Sequence, residues 1–206
     1  MIIVGTSGSS KELLTVYSQF SNSDLVFFND FEDSIPQFFL ENFRIIKSIE
    51  ELKLEFKINN QFVIGIGNPL KRRKLDMELS EIGGIHKGII SPFSKIGKFG
   101  NVISDDVTIL TDTIVTCCVT INQGVFINKS CIVSHDVSIG SYSVIAPGVK
   151  LLGNVNVGKN CFIGAGAIIN PSVVIGDNSI IGSASVVLND IPANSKYVGN
   201  PAKKIN

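Results

Sequence analysis

Ile121-Asn122-Gln123-Gly124-Val125-Phe126-Ile127-Asn128-Lys129-Ser130-Cys131-Ile132-Val133-Ser134-His135-Asp136-Val137-Ser138-Ile139 is the stretch that decides the fold. An aliphatic residue stands at every sixth place, Ile121, Ile127, Val133 and Ile139, and a small or β-branched residue follows each by four places, as at Val125, Cys131 and Val137. The pattern runs outward in both directions from Ile103 to Val187 over fifteen positions. A period of six matches neither a 3.6-residue helix nor a single hairpin. Repeating hexapeptides of this kind point to a parallel β-helix, in which short strands stack coil upon coil. A coil with three flat faces takes three hexapeptides, so the fifteen make five coils. Ile90, Ile96 and Val102 carry the same spacing before the register slips by one to Ile103, which places one extra residue near the first coil.

Within each hexapeptide the aliphatic side chain points inward, and the interior narrows at the fourth place after it. Cys131 and Cys161 occupy that small-residue register and read as buried free thiols. Asn, Asp and Gly crowd the remaining places, where corners require positive φ. Asp190-Ile191-Pro192 ends the repeat. Pro192 and Pro201 cannot donate to a continuing ladder, so the tail is expected to cap the last coil.

The first ninety residues follow a different rhythm. Ile2-Ile3-Val4 reads as a strand, Gly5 to Ser10 as a glycine/serine loop, and Lys11 to Phe20 as a helix. Leu25 to Phe28 is a second strand ending in Asn29-Asp30, and Phe62 to Gly67 a third. Pro69 opens a basic helix through Lys71, Arg72, Arg73 and Lys74. This predicts a small α/β, Rossmann-like unit over residues 1–84, broken at Gly83-Gly84, and a β-helix with its C-terminal cap over residues 85–206.

Composition removes several function classes. The 18 basic and 18 acidic residues balance, which leaves no electrostatic footprint for nucleic acid or an anionic membrane. No apolar run approaches the roughly 20 residues of a membrane span. Met1 leads straight into the first strand with no basic start or secretory h-region, so a cytoplasmic location is expected. Four cysteines without a CxxC, and two histidines in all (His86 and His135), argue against a zinc site. No metal is expected, and His86 reads as structural.

His135 is the only histidine in the repeat and sits in a turn-facing register. Imidazole is the side chain whose pKa lies nearest neutrality, and it suits removal of a proton from an attacking amine or hydroxyl. A corner histidine of no function is the plain alternative. Asp136 reads either as a group that orients the ring or as a solvated corner carboxylate, because neighbours on a strand point apart. Asn128, seven residues earlier, is equally explained by corner geometry. Gly153 lies one 18-residue coil beyond His135, so the two are expected on adjacent rungs. Its glycine either leaves the N–H open to close approach or serves a φ requirement alone. Gly5-Thr6-Ser7-Gly8 follows a strand and precedes a helix, which suits phosphate at a helix N-terminus; it is not a full GxGxxG. Asp30 at a strand end suits a base or ribose, or else a turn.

The repeat from about residue 90 to 206 resembles the hexapeptide acyltransferases, whose β-helix is left-handed. Ile3-Val4-Gly5-Thr6-Ser7-Gly8 with Lys11, Ile66-Gly67-Asn68 with Arg72, and the run from Asn128 through Ser134-His135-Asp136 to Gly153-Asn154-Val155 and Gly199 to Lys203 make the chain similar to the PglD/NeuD sugar acetyltransferases. That resemblance implies a nucleotide-linked amino sugar held by Gly5, Ser7, Gly8, Ser9, Asp30, Gly67, Asn68 and Arg72. It implies acetyl-CoA along the β-helix at Gly153, Gly164, Ala165, Gly166 and Ala184, between subunits of a homotrimer. It assigns the general base to His135, with Asp136 and Asn128 beside it and the Gly153 amide on the oxyanion. Relatives carry Gly-His-Gly where this chain has Gly8-Ser9-Ser10, so a contact to the sugar is missing or taken over by hydroxyls. The expected activity is direct acetyl transfer to the amine of a nucleotide-activated 4-amino-4,6-dideoxyhexose for bacterial surface glycan synthesis; the alternative is O-acetylation of the sialic acid type. A covalent route through Cys131 is disfavoured because its register buries it. A pure scaffold is the reading from outside enzymology.

Overall fold

The structure, a computed structural model, describes residues 1–20, 25–31 and 35–205. The chain begins with β1 (Ile2–Val4), α1 (Gly8–Tyr17), β2 (Val26–Phe28), β3 (Phe38–Phe39), β4 (Phe43–Ile46), α2 (Ile49–Phe56), β5 (Gln61–Ile64), α3 (Pro69–Glu81) and β6 (Ile85–His86). These strands form one sheet in the order β3-β4-β2-β1-β5-β6, parallel except for the β3–β4 pair. Side chains alternate across it. Ile3, Phe27 and Val63 pack with α1 residues Leu13, Val16 and Tyr17, while Ile2, Val4, Phe28, Phe62 and Ile64 pack against Leu52 of α2 and Leu75 and Leu79 of α3.

The chain reverses direction across the sheet between β1 and β5. In open α/β sheets the crevice at such a switch point, beyond the carboxyl ends of the strands, is where ligands bind. The loops there are Gly5–Ser10 and Gly65–Asn68. The sequence reading did not identify α2, yet Ser48-Ile49-Glu50-Glu51 carries its start signal: Ser48 Oγ accepts from the Glu51 N–H at 3.2 Å. β6 lies beyond Gly83-Gly84 and still pairs with β5, so Ile85 and His86 belong to the first sheet.

From Lys95 onward two-residue strands stack into three parallel sheets, the faces of a left-handed β-helix. One face carries Thr108–Ile109, Phe126–Ile127, Val144–Ile145, Phe162–Ile163 and Ile180–Ile181, the next Ile114–Val115 through Val186–Val187, and the third Val102–Ile103 through Val174–Ile175. The second residue of each pair points inward. Ile127, Ile145 and Ile163, Val133, Leu151 and Ile169, and Ile121, Ile139 and Val157 form three fully buried ladders. Each such side chain contributes about 1.5–3 kcal/mol by leaving water. The narrow register holds Val107, Val125, Cys131, Val149 and Cys161 together with buried hydroxyls. Those hydroxyls are satisfied: Ser143 Oγ donates to Gly158 O at 2.7 Å and accepts from the Cys161 N–H at 2.9 Å. The left-handed corners fall six apart from Asp112 to Ala184, and Cys118, Ser130, Tyr142 and Ala184 adopt them alongside Asn, Asp and Gly.

The extra residue lies between Ile96 and Val102. Ile96 pairs with Val115, nineteen positions on, whereas Ile103 pairs with Ile121, eighteen on. Ile90 bridges Ile109 but is exposed, because no coil lies beneath it. The tail corrects one expectation. Pairing does not stop at Pro192: strand Lys196–Val198 continues parallel to Ile180–Ile181, and strand Lys203–Ile205 turns back antiparallel upon it. Pro192 occupies a corner and Pro201 the turn between these strands, so neither is asked to donate. Tyr197 and Ala202 close the end of the core.

The α1 side of the first sheet rests on one face of the prism. Ile3, Leu13, Phe27 and Val63 share an apolar cluster with Leu110, Phe126 and Val144, the outward residues of the Phe126–Ile127 face.

Candidate active site

The three corners of the prism carry different chemistry. On the first, Cys117-Cys118, His135-Asp136 and Gly153-Asn154 stack on successive coils: the Asp136 N–H donates to Cys117 O at 3.2 Å and the Asn154 N–H to His135 O at 3.0 Å. On the second lie Lys129-Ser130, which Asn128 leads into, Pro147-Gly148, Ala165-Gly166 and Ser183-Ala184, joined by Gly166 N–H to Pro147 O and Ala184 N–H to Ala165 O, both 2.8 Å. The third holds Gln123-Gly124, Ser141-Tyr142, Lys159-Asn160 and Asp177-Asn178.

Asp136 adopts φ +60°, and that left-handed turn folds its carboxylate back onto its neighbour. His135 Nδ1 lies 2.8 Å from Asp136 Oδ2, with both side chains about half exposed. The carboxylate selects the tautomer with the proton on Nδ1, leaving Nε2 a free acceptor. Solvent screens the pair, so its value is orientation more than energy. The imidazole lies flat against Gly153. A β-carbon there would meet His135 Cε1 at 2.6 Å and Nε2 at 2.7 Å. Gly153 has no left-handed φ, so space and not backbone conformation requires the glycine. Among the described residues its N–H has no protein partner.

Asn128 does not join this group. It leads into the second corner, and its Oδ1 accepts from the Lys129 N–H at 2.9 Å. Gly164, Ala165, Gly166 and Ala184 share that second corner, away from His135. Gly164 is closely covered, since a β-carbon would meet the Ser183 backbone at 2.5 Å, whereas among the described residues nothing lies within 4 Å of a β-carbon on Gly166. The sequence reading missed Cys117 and Cys118, which flank His135 and Asp136 from the coil before; subtracting one 18-residue coil from 135 and 136 would have found them. Cys131 is buried, its Sγ donates to Ala146 O at 3.1 Å, and burial pushes its thiol up to about 11.

At the sheet's switch point the loops assemble as expected, with one correction. Ser7 Oγ donates to Gly65 O at 3.1 Å, and Gly8 and Ser9 stand at the entrance to α1, Ser9 facing Gly67. The backbone of Gly5 is spent, its N–H on Phe28 O and its carbonyl on Ser10 Oγ. Asn68 caps α3 through Oδ1 on the Lys71 N–H. Asp30 is exposed at the end of β2, and partial desolvation nudges its carboxyl up. Arg72, expected at a diphosphate, cannot reach one. It is wholly buried, with Nη1 on Ile64 O and Ile66 O at 2.7 and 3.0 Å, Nε and Nη2 on Gly124 O at 3.3 and 3.2 Å, and its plane over Phe126. Burial lowers its pKa to about 10, still charged at neutral pH. It is a tie between the first sheet and the prism. A neighbouring cation, Arg73, is exposed and lines a cleft of 560 Å³ with Lys159 and Asn160 on the third corner. A second cleft of 470 Å³ runs from Gly67-Asn68 to Asn160, Phe162 and Ile180.

The first sheet covers the Phe126–Ile127 face, and the His135 corner is the prism edge opposite that face. One chain therefore carries the switch-point loops and the histidine on opposite sides of its prism.

Residues 1–79 match the model of the PglD N-terminal domain, and residues 118–153 and 154–189 match that of the bacterial transferase hexapeptide repeats. Three solved structures share the fold along the whole chain. PerB from Caulobacter crescentus, solved with CoA and GDP-perosamine, is 22% identical with a TM-score of 0.87, covering 100% of this chain and 96% of its own. The acetyltransferase domain of PglB from Neisseria gonorrhoeae, solved with acetyl coenzyme A, is 22% identical with a TM-score of 0.89, covering 99% and 98%. WeeI from Acinetobacter baumannii is 26% identical with a TM-score of 0.86 over the same shares. Joined in this order, a PglD-type domain and a transferase β-helix mean that the chain belongs to the hexapeptide-repeat sugar acetyltransferases of the PglD type.

Proposed function

We propose that the protein transfers the acetyl group of acetyl-CoA to the amine of a nucleotide-linked 4-amino-4,6-dideoxyhexose, in the cytoplasm, with His135 as general base. The observation that carries this reading is the imidazole held by Asp136 at Nδ1 and laid against Gly153. Nε2 takes the proton from the amine as nitrogen attacks the thioester carbonyl. The Gly153 N–H, without a protein partner, donates to the oxygen that becomes negative. The tetrahedral species collapses as the C–S bond breaks, and the proton on His135 goes to the departing thiolate. No side chain carries the acetyl group, which agrees with a Cys131 thiol held protonated by burial. The GDP-perosamine bound by PerB supports a nucleotide-linked amino sugar as acceptor. Ser7, Gly8, Ser9, Gly67 and Asn68 are the residues we assign to it.

The opposite placement of loops and histidine supports a site shared between subunits. We place the acceptor on the first domain of one chain and His135 on the next chain of a trimer, with the Gly164–Ala184 corner along the acetyl-CoA arm. His135→Ala should fold normally and lose about 10²–10⁴ of kcat/KM; near-wild-type turnover on a panel of nucleotide amino sugars would remove His135 from the mechanism. Acetylation of free sialic acid in place of every nucleotide amino sugar would transfer the reading to O-acetylation.

A further inference from the structure

Away from His135, where α3, β6 and the first coil meet, lies a polar cluster that acetyl transfer does not use. It lines a cavity of 320 Å³ with Asp76, Ser80, His86, Asp106, Gln123 and Tyr142. His86 stacks flat on Phe62 at 5.1 Å and its side chain is 95% buried. Its Nδ1 makes an ion-pair contact with Asp76 Oδ2 at 3.1 Å and lies 3.7 Å from Asp106 Oδ2, yet among the described residues neither ring nitrogen meets hydrogen-bond alignment, and Asp106 Oδ1 has no partner. Orphaned buried polar atoms of this kind are uncommon and call for an explanation.

The cluster is built from three separate elements. Asp106 occupies the third corner, directly before Gly124 and Tyr142 on the next two coils. Gly124 sits at φ +67° and is crossed by Tyr142, a β-carbon there meeting that ring at 2.4 Å. The crossing brings Tyr142 Oη to Asp76 Oδ2, to which it donates at 2.8 Å, and Gln123 braces the same hydroxyl. Asp76 thus has one oxygen fixed beside His86 while Asp106 approaches from the prism. The two carboxylates and the buried Arg72 guanidinium leave the cluster one negative charge in excess when His86 is neutral.

We propose that Asp76, His86 and Asp106 form a site for a first-row divalent cation, zinc or manganese, that clamps the α/β domain to the first coil. One candidate ligand atom from each residue lies within 4.8 Å of the other two. Bonds of about 2.1 Å put tetrahedral ligand atoms about 3.4 Å apart, so the 3.1 and 3.7 Å from His86 Nδ1 to the two carboxylates need shifts of only a few tenths of an ångström, and the carboxylates close in from within 4.8 Å of each other. One imidazole with two carboxylates suits zinc or manganese better than magnesium, which favours oxygen alone. The cavity leaves room for waters to complete the shell. The clamp is structural, goes beyond the acetyl transfer proposed above, and stands whether or not that reading does.

The full-length protein is stripped with chelator, exchanged into ZnCl2, MnCl2 or MgCl2, and analysed by metal content after gel filtration, by thermal melting and by anomalous diffraction of the wild type. One equivalent of zinc or manganese per chain, a raised Tm absent with magnesium, and an anomalous peak bonded to the three side chains are expected. Asp106→Asn and His86→Gln should each weaken binding at least tenfold, while His135→Ala leaves it unchanged. A wild type that binds no equivalent overturns the site. So does a peak at His135-Asp136 or at the Cys117-Cys118 pair, which decides the matter even if the variants fold poorly.

Discussion

Three residues show how little sequence distance says about contact. His135 and Asp136 are neighbours that an extended strand would turn apart, and a single left-handed φ at Asp136 brings them together. Gly153 is eighteen residues away and touches the same ring. An alanine at 153 must push a half-exposed imidazole aside and disturbs little else. Gly153→Ala is therefore expected to leave Tm within about 1 °C of wild type, since surface changes are usually small. It should lower kcat by about 10²-fold through displacement of the base. Full activity in that variant, measured with CD melts in parallel, would show that the ring does not work from this position. Cys131 illustrates the opposite case, where position in the repeat alone foretold a buried thiol.

At the level of elements, α3 is the piece that joins the two halves. Its sequence reads as a solvated basic run, and Lys71, Arg73 and Lys74 are exposed as such a run should be. Arg72 faces the other way and spends four donor contacts on carbonyls of Ile64, Ile66 and Gly124. Removing it strands three buried acceptors. Arg72→Met should cost about 3 kcal/mol in urea unfolding, and Arg72→Lys should recover only part, because an ammonium cannot fork between the Ile64 and Gly124 carbonyls. A neutral Arg72→Met variant would mean the interface is held by the Leu110–Phe126–Val144 cluster alone. The same substitution leaves Ser7, Gly8 and Gly67 untouched, so KM for a nucleotide sugar should change far less than stability does.

The whole molecule presents the His135 imidazole on one side and the switch-point crevice on the other. No helix among the described residues is long and apolar enough to cross a membrane. Trimerisation would bring the two halves of the site together, and sedimentation equilibrium is expected to give three chains. Complementation tests the sharing directly. Gly8 has open space around it, so Gly8→Trp should block the crevice without harming the fold. Mixed with His135→Ala under subunit exchange, it should recover about a quarter of wild-type activity, the fraction of random interfaces pairing two intact halves. No recovery in exchanged trimers would place both halves in one chain.

The sequence by itself determined the prism, its 18-residue coil and the pairing of His135 with Gly153, because a repeating fold turns sequence separation directly into spatial adjacency. It also determined the switch-point loops, whose glycines and serines mark a strand-to-helix turn. Only the tertiary structure decided the fate of Arg72, the separation of Asn128 from His135, and the meeting of Asp76, His86 and Asp106. Those depend on how an irregular domain lies against a regular one. That docking is set by side-chain packing between elements far apart in the chain, for which no periodicity exists to be read.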